Sequence, residues 1–147
     1  MTYRACILLA TYNGASWINE QIRSVTCQVG VRVSIVASDD YSDDGTCQIL
    51  KHWAAQTDLL VLPHASKRFG NANRNFLHLI CNAPFNNSDF FAFADQDDIW
   101  LPNKVERAIE CLVTKGADAY SSDVIAFWPD GRHVPIIRSA PQRQYDY

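Results

Sequence analysis

The chain has 147 residues, of which 48% are hydrophobic and 20% charged, and its formal net charge is −3. This composition fits one packed globular domain, and the lack of a basic excess argues against a nucleic-acid binder. The longest apolar runs, residues 5–10 and 90–94, are far shorter than the ~20 residues of a membrane span. Five cysteines without a CxxC pair fit a reduced, cytoplasmic protein, and no signal-peptide pattern opens the chain.

The first half of the chain alternates apolar runs with amphipathic stretches. Residues 5–10 and 31–37 are predicted as buried strands, and residues 59–62 as a short third strand. A helix capped by Ser16 is predicted between the first two strands. Its apolar face consists of Ile18, Ile22, Val25 and Val29. A second helix is predicted to bury Ile49, Leu50, Trp53 and Ala54.

The second half continues this alternation and then changes. A third helix is predicted around Phe76, and residues 90–94 (FFAFA) are predicted as a strand buried on both faces. Pro102 fits the first turn of a fourth helix, which Gly116 would end. A fifth strand is predicted at residues 117–120. A β-hairpin, with strands at residues 124–128 and 134–137, follows it.

Strand–helix alternation of this length predicts an α/β fold with a mostly parallel, Rossmann-like sheet and flanking helices. We expect residues 1–137 to form a single domain, because no linker or low-complexity tract interrupts them. Residues 138–147 show no apolar periodicity and are predicted to be a polar tail.

Two acidic stretches each follow a predicted strand. The first contains Asp39, Asp40, Asp43 and Asp44, and the second contains Asp95, Asp97 and Asp98. Ligands of open parallel sheets bind at the carboxyl ends of strands, so both stretches can share one cleft. Carboxylates at this edge suit a hard divalent cation such as Mg²⁺ or Mn²⁺. For the first stretch, helix caps and solvated turns explain the aspartates equally well.

Three sequence blocks together resemble the family-2 glycosyltransferases with the three-layer GT-A fold, over nearly all of residues 3–128. Residues 9–14 (LATYNG) look like the family's opening strand and "TYN" turn, and residues 38–46 (SDDYSDDGT) are similar to its "DDxSxDGT" stretch. Residues 93–102 (FADQDDIWLP) look like its DxD motif, in the form most like bacterial rhamnosyltransferases.

The resemblance implies a role for each matching residue. Thr11 and Asp40 would contact the base of a nucleotide-diphosphate sugar, with Tyr12 and Asn13 lining the pocket. Arg74 would help to hold the donor. Asp95 would lie against the ribose and next to the metal, and Asp97 would ligate Mg²⁺ or Mn²⁺.

The same resemblance implies a reaction. The sugar, with rhamnose the first expectation, would pass with inversion from a dTDP- or UDP-sugar to an acceptor hydroxyl on a saccharide or a lipid-linked acceptor. Such enzymes assemble bacterial surface polysaccharide. Arg132, Arg138 and Arg143 leave open a peripheral contact with the inner face of the membrane.

The catalytic base stays unassigned, because the family carries its base and acceptor segments after the fifth strand. Asp123 is one candidate for the base, but we expect it to be a loop residue that lines the donor cleft. We therefore expect this chain to be the donor-binding portion of a longer enzyme. The alternative is a non-catalytic nucleotide-sugar-binding module. A receiver domain and a DxD phosphohydrolase are weaker alternatives, because both need their acids after the first strand.

Overall fold

The computed structural model describes residues 2–85, 87–128 and 130–137. Four helices and six strands occur in these ranges. The strands are β1 (Arg4–Thr11), β2 (Arg32–Asp39), β3 (Leu59–Val61), β4 (Phe90–Ala94), β5 (Val124–Phe127) and β6 (His133–Ile136). The helices are α1 (Ile18–Thr26), α2 (Thr46–Ala54), α3 (Ala72–Asn82) and α4 (Lys104–Lys115).

The first four strands form one parallel sheet in the order β3-β2-β1-β4. In β1, Thr11 lies opposite Asp39 of β2, and Leu9 lies opposite Ala94 of β4. The chain therefore moves outward from β1 through β2 to β3 and then crosses to the other side of β1. The switch point between β1 and β4 opens a crevice at the carboxyl edge, which is where such sheets bind ligands.

Two apolar clusters cover the two faces of this sheet. Alternate residues of β1 point to opposite sides, as the two-residue strand period requires. Ala5, Ile7 and Leu9 pack against helices α1, α2 and the first turns of α4. Cys6, Leu8 and Ala10 pack on the other face, against α3. The predicted α/β fold, a mostly parallel sheet between two layers of helix, is confirmed.

The prediction that β4 is buried on both faces is wrong. Phe91 is 55% exposed and Phe93 is 49% exposed, whereas Ala94 is buried. β4 is an edge strand of the described sheet, and Phe76 of α3 covers only part of Phe93. Phe91 and Phe93 instead contact each other edge to face, with ring centroids 5.7 Å apart.

The predicted Ser16 cap of α1 is also wrong. The N-cap position belongs to Trp17, which makes no side-chain capping bond. The first amides of the helix are satisfied by the preceding turn instead, because Ile18 N donates to Gly14 O and Glu20 N donates to Trp17 O. Thr46 and Asp44 hold that turn in place, since Gly14 N donates to Thr46 Oγ1 and Ala15 N donates to Asp44 Oδ2.

The chain divides into two compact units, Met1–Glu110 and Cys111–Tyr147. In the second unit, β5 and β6 form the predicted antiparallel hairpin, with Val124 opposite Ile136. Residues 117–120 form no strand. All four are exposed, so no apolar burial offsets the entropy of ordering them. The predicted polar tail, residues 138–147, lies outside the described residues. None of the described helices is long and apolar enough to cross a membrane.

Candidate functional site

Three loops of the first unit meet at the carboxyl edge of the sheet and enclose a pocket of about 320 Å³. They are the loops that follow β1, β2 and β4, and the segment before α3 joins them. The lining residues are Ala10, Thr11, Tyr12, Asp40, Arg68, Gly70, Asn71, Ala72, Asn75, Asp95, Gln96 and Asp97.

Five of the residues predicted for the site line this pocket, and two do not. Those that line it are Thr11, Tyr12, Asp40, Asp95 and Asp97. Asn13 braces the loop instead, since its backbone N–H donates to Ser42 Oγ and its side-chain oxygen accepts from Asp43 N. The backbone N–H of Arg74 donates to the capping residue of α3, and its side chain is exposed.

Asp39 is buried, and donors from three neighbours surround its carboxylate. Thr11 Oγ1 donates to Oδ1 over 2.8 Å, and Ser42 donates through its backbone N–H and its hydroxyl. Cys47 Sγ donates to Oδ2 over 3.1 Å. Burial, followed by the contact with Asp39, raises the pKa of the Cys47 thiol to about 11, so the thiol stays protonated as a donor. Asp39 therefore organises the loop.

Asp40, its neighbour, holds the segment before α3. Its carboxylate accepts from Phe69 N over 2.5 Å and from Gly70 N over 2.9 Å. Arg68 Nε lies 3.6 Å from Asp40 Oδ2, and the Arg68 guanidinium sits 3.8 Å above the centre of the Tyr12 ring. Arg68 thus places a positive charge beside an acidic pocket and shields part of one aromatic face.

Gln96 joins the loop after β4 to the loop after β1. Its Oε1 accepts from Tyr12 N and its Nε2 donates to Tyr12 O, each over 2.8 Å. Gly14 leaves room for this carboxamide, because a Cβ at Gly14 would lie 2.6 Å from Gln96 Cδ. The two loops that carry the predicted base-binding and metal-binding residues are therefore held in register.

Asn75 of α3 connects the ends of β1 and β2 through hydrogen bonds. It is 2% exposed, and its Nδ2 donates to Ser38 O over 3.0 Å and to Thr11 O over 3.3 Å. Among the described residues, Oδ1 has no hydrogen-bond partner. The sequence feature that could have revealed Asn75 is its position as a polar residue directly before the apolar Phe76 in a predicted helix. Arg68, which follows Lys67 and precedes Gly70, could be predicted from its charge either to screen phosphate or to be solvated. Gln96 had no comparable signal, because its partner lies 84 residues away in sequence.

The acids after β4 form the negative side of the pocket. Partial loss of solvent raises the pKa of Asp95, and the neighbouring Asp97 raises it further. The pKa of Asp98 is raised first by loss of solvent and then by Asp95 and Asp97. Mutual repulsion of this kind is relieved when a cation binds. The site is thus electrostatically suited to a divalent ion with oxygen ligands.

The acids after β4 do not enclose an ion by themselves. Among the described residues, the one set of three potential ligands within 4.8 Å of one another is Asp39, Cys47 and His64. Asp95 and Asp97 therefore fit a Mg²⁺ or Mn²⁺ ion in the way common for these metals, with one or two carboxylates and the rest of the shell from substrate phosphates and water.

A pocket at the switch point of a parallel sheet, with acids on one side and an arginine over an aromatic ring on the other, defines a ligand-binding α/β domain. The family model of glycosyl transferase family 2 matches residues 6–139. The chain belongs to glycosyl transferase family 2, as the three sequence blocks predicted.

One curated relative is the dTDP-rhamnosyl transferase RfbG of Shigella flexneri, which is 43% identical over 141 residues. The match covers 95% of this chain and 48% of that protein. The chain thus spans about half the length of this relative. It spans 36% and 42% of two further curated relatives, a glycosyltransferase of Nostoc and the glucosyltransferase WfgD of Escherichia coli.

Solved structures show the same fold. Residues 1–349 of TarS from S. aureus superpose with a TM-score of 0.68 at 21% identity, covering 92% of this chain and 39% of that one. The mannosyltransferase PcManGT from Pyrobaculum calidifontis, in complex with GDP-Man and Mn²⁺, superposes with a TM-score of 0.63 at 23% identity. That match covers 76% of this chain and 33% of the other. At these identities the likeness concerns the fold alone.

Proposed function

We propose that this chain is the donor-binding portion of an inverting, metal-dependent glycosyltransferase that uses a nucleotide-diphosphate sugar. The observation that carries the proposal is the pocket at the switch point, which brings together Thr11, Tyr12 and Asp40 with Asp95 and Asp97. These residues come from three separate loops, and the family resemblance assigns them to the donor and its metal.

The nucleotide base would lie on the side of β1 and β2. The Tyr12 ring is 39% exposed and offers an aromatic surface, while Asp40 is already anchored by two backbone amides. Arg68 adds a cation that can face the diphosphate. Its guanidinium lies against Tyr12 and near Asp40, within the pocket that the nucleotide would enter.

The divalent ion would be held by Asp97, with Asp95 beside it. When bound, such an ion screens the diphosphate and stabilises the leaving nucleotide as a Lewis acid. The protein's own contribution is to hold both carboxylates at the mouth of the pocket, through the bond between Gln96 and the Tyr12 backbone. An acceptor hydroxyl would attack the anomeric carbon in a single displacement, and no residue of this chain is assigned as its base.

The preferred donor is dTDP-rhamnose, and the acceptor would be a saccharide or lipid-linked saccharide of bacterial surface polysaccharide. The support for the donor is the 43% identity to a dTDP-rhamnosyl transferase along 95% of the chain. A UDP-sugar is the second choice, since TarS residues 1–349 were solved in complex with UDP-GlcNAc.

Calorimetric titration with dTDP and UDP, each with and without Mn²⁺, tests this proposal. We expect dTDP to bind in the presence of Mn²⁺ and more weakly without it. Asp97→Ala should remove the Mn²⁺ dependence and leave the circular dichroism spectrum unchanged. The matched control is Asp58→Ala, an exposed aspartate directly before β3, at the opposite edge of the sheet.

Two results would contradict the proposal. One is an Asp97→Ala variant with the same Mn²⁺-dependent affinity as the unchanged chain, which would remove the metal assignment. The other is a folded chain that binds neither nucleotide under any metal condition. Binding of dTDP without sugar transfer would instead favour the non-catalytic binding module.

A further inference from the structure

A second group of potential metal ligands lies in the first unit, beside the pocket described above. It consists of Asp39 at the end of β2, Cys47 at the start of α2 and His64 after β3. One ligand atom from each residue lies within 4.8 Å of the other two. Asp39 and Cys47 are 8 residues apart and His64 lies 25 residues from Asp39, so the fold brings the third ligand to the other two.

We propose that Asp39, Cys47 and His64 form a binding site for a borderline divalent cation of the zinc class. Thiolate, imidazole and carboxylate are the three ligand types found in zinc sites, and three protein ligands with one open position are sufficient. Mg²⁺ and Mn²⁺ prefer all-oxygen sites, so this site differs in chemistry from the acids after β4.

The ligands are already held close to the required positions. Cys47 Sγ lies 3.1 Å from Asp39 Oδ2, and His64 Nδ1 lies 3.2 Å from the main-chain oxygen of Asp39. The His64 ring also packs against Tyr41, with ring centroids 4.8 Å apart. Tetrahedral zinc bonds of 2.0–2.3 Å place ligand atoms roughly 3.3–3.8 Å apart. Only small movements are therefore needed.

Access and proton balance also permit binding. His64 is exposed and Cys47 is partly exposed, which leaves a path from solvent, while Asp39 is buried beneath them. On binding, the Cys47 thiol proton passes to solvent and the sulfur lone pair forms the metal bond. The His64 ring nitrogen that faces the cluster binds the metal through its lone pair, so the imidazole must be neutral.

Titration of the reduced 147-residue chain with Co²⁺, followed by competition with Zn²⁺, tests this site. We expect one equivalent of Co²⁺ to produce the absorption of a cobalt–thiolate bond, and Zn²⁺ to abolish it. Cys47→Ser should eliminate that absorption and weaken Zn²⁺ binding at least tenfold, and His64→Ala should weaken it similarly. Cys27→Ser and His52→Ala are the matched controls, since both residues are exposed and lie outside the cluster.

The proposal is overturned if Co²⁺ gives no thiolate absorption, or if the Cys47→Ser or His64→Ala variant binds Zn²⁺ as tightly as the two controls. His64→Ala keeps the test informative if Cys47→Ser does not fold, because the His64 side chain is exposed. Asp97→Ala should leave Zn²⁺ affinity unchanged, so failure of this site is distinguishable from failure of the donor-binding proposal.

Discussion

The contact between Gly14 and Gln96 can be tested by a double-mutant cycle. The Gln96 carboxamide forms two hydrogen bonds with the Tyr12 backbone, and each bond contributes about 0.5–1.5 kcal/mol net. Gln96→Ala should therefore lower the free energy of unfolding by about 1–3 kcal/mol. Gly14→Ala should cost a similar amount by a different route, because the new Cβ would displace the Gln96 side chain from both bonds.

The two substitutions should not be additive. The three nearest atoms to a Cβ at Gly14 all belong to the Gln96 side chain, and Gly14 is not among the described glycines with a positive φ. Once Gln96 is alanine, these three close contacts are gone, and Gly14→Ala restricts the unfolded chain. It should then be neutral, or stabilising by about 0.4–1 kcal/mol. The expected coupling is about 1–3 kcal/mol, in contrast to the ~0.3–0.5 kcal/mol scatter between independent sites.

Urea unfolding of the four proteins, at constant pH and with equal m-values, measures this coupling. The important result is the sign of the Gly14→Ala effect in the two backgrounds. If Gly14→Ala costs the same with and without Gln96, the carboxamide does not occupy the space beside Gly14. The proposed connection between the two loops would then be refuted.

Two further predictions concern the acids and the cap of α3. Mn²⁺ affinity should fall on acidification at a higher pH than ordinary aspartates would give, because Asp95 and Asp98 have raised pKa values and protons compete for them. Calorimetry over a pH series measures this, and a fall confined to the ordinary aspartate range would contradict it. Asn71→Ala should destabilise the chain by about 0.5–2 kcal/mol, because Asn71 Oδ1 accepts from Arg74 N over 3.0 Å at the N-cap. Thermal unfolding with Asn73→Ala as control checks it, and equal losses would exclude a capping role.

Much of the fold followed from local patterns in the sequence. The central strands are near-continuous apolar runs, as expected for a parallel sheet covered on both faces. The acids directly after β2 and β4 indicated the edge at which the pocket lies. β4 was misjudged because its run of apolar residues is equally compatible with an edge strand, and strand order is a property of the whole chain. The Ser16 cap was wrong because backbone carbonyls of the preceding turn accept from the first helical amides.

The connecting residues of the site were the hardest to predict. Asp40 was expected to be a ligand contact, and the structure shows that its carboxylate also anchors Phe69 and Gly70. Gln96 bonds to a backbone 84 residues away. Side chains of this kind have no periodicity or spacing to reveal them, because their partners are defined only after the sheet has formed.

Three aspartates of the two acidic stretches differ in the groups that surround their carboxylates. Asp44 accepts hydrogen bonds from Ala15 N and from Thr46, and the bond from Thr46 Oγ1 is the main reason that the pKa of Asp44 is lowered. Asp95 and Asp98 have raised pKa values, which means that the protein destabilises their charged forms. Asp44, whose charged form is already stabilised by its neighbours, gains less from a cation than carboxylates that repel one another. This difference supports the proposal that the donor's metal binds at the acids after β4 rather than at Asp44.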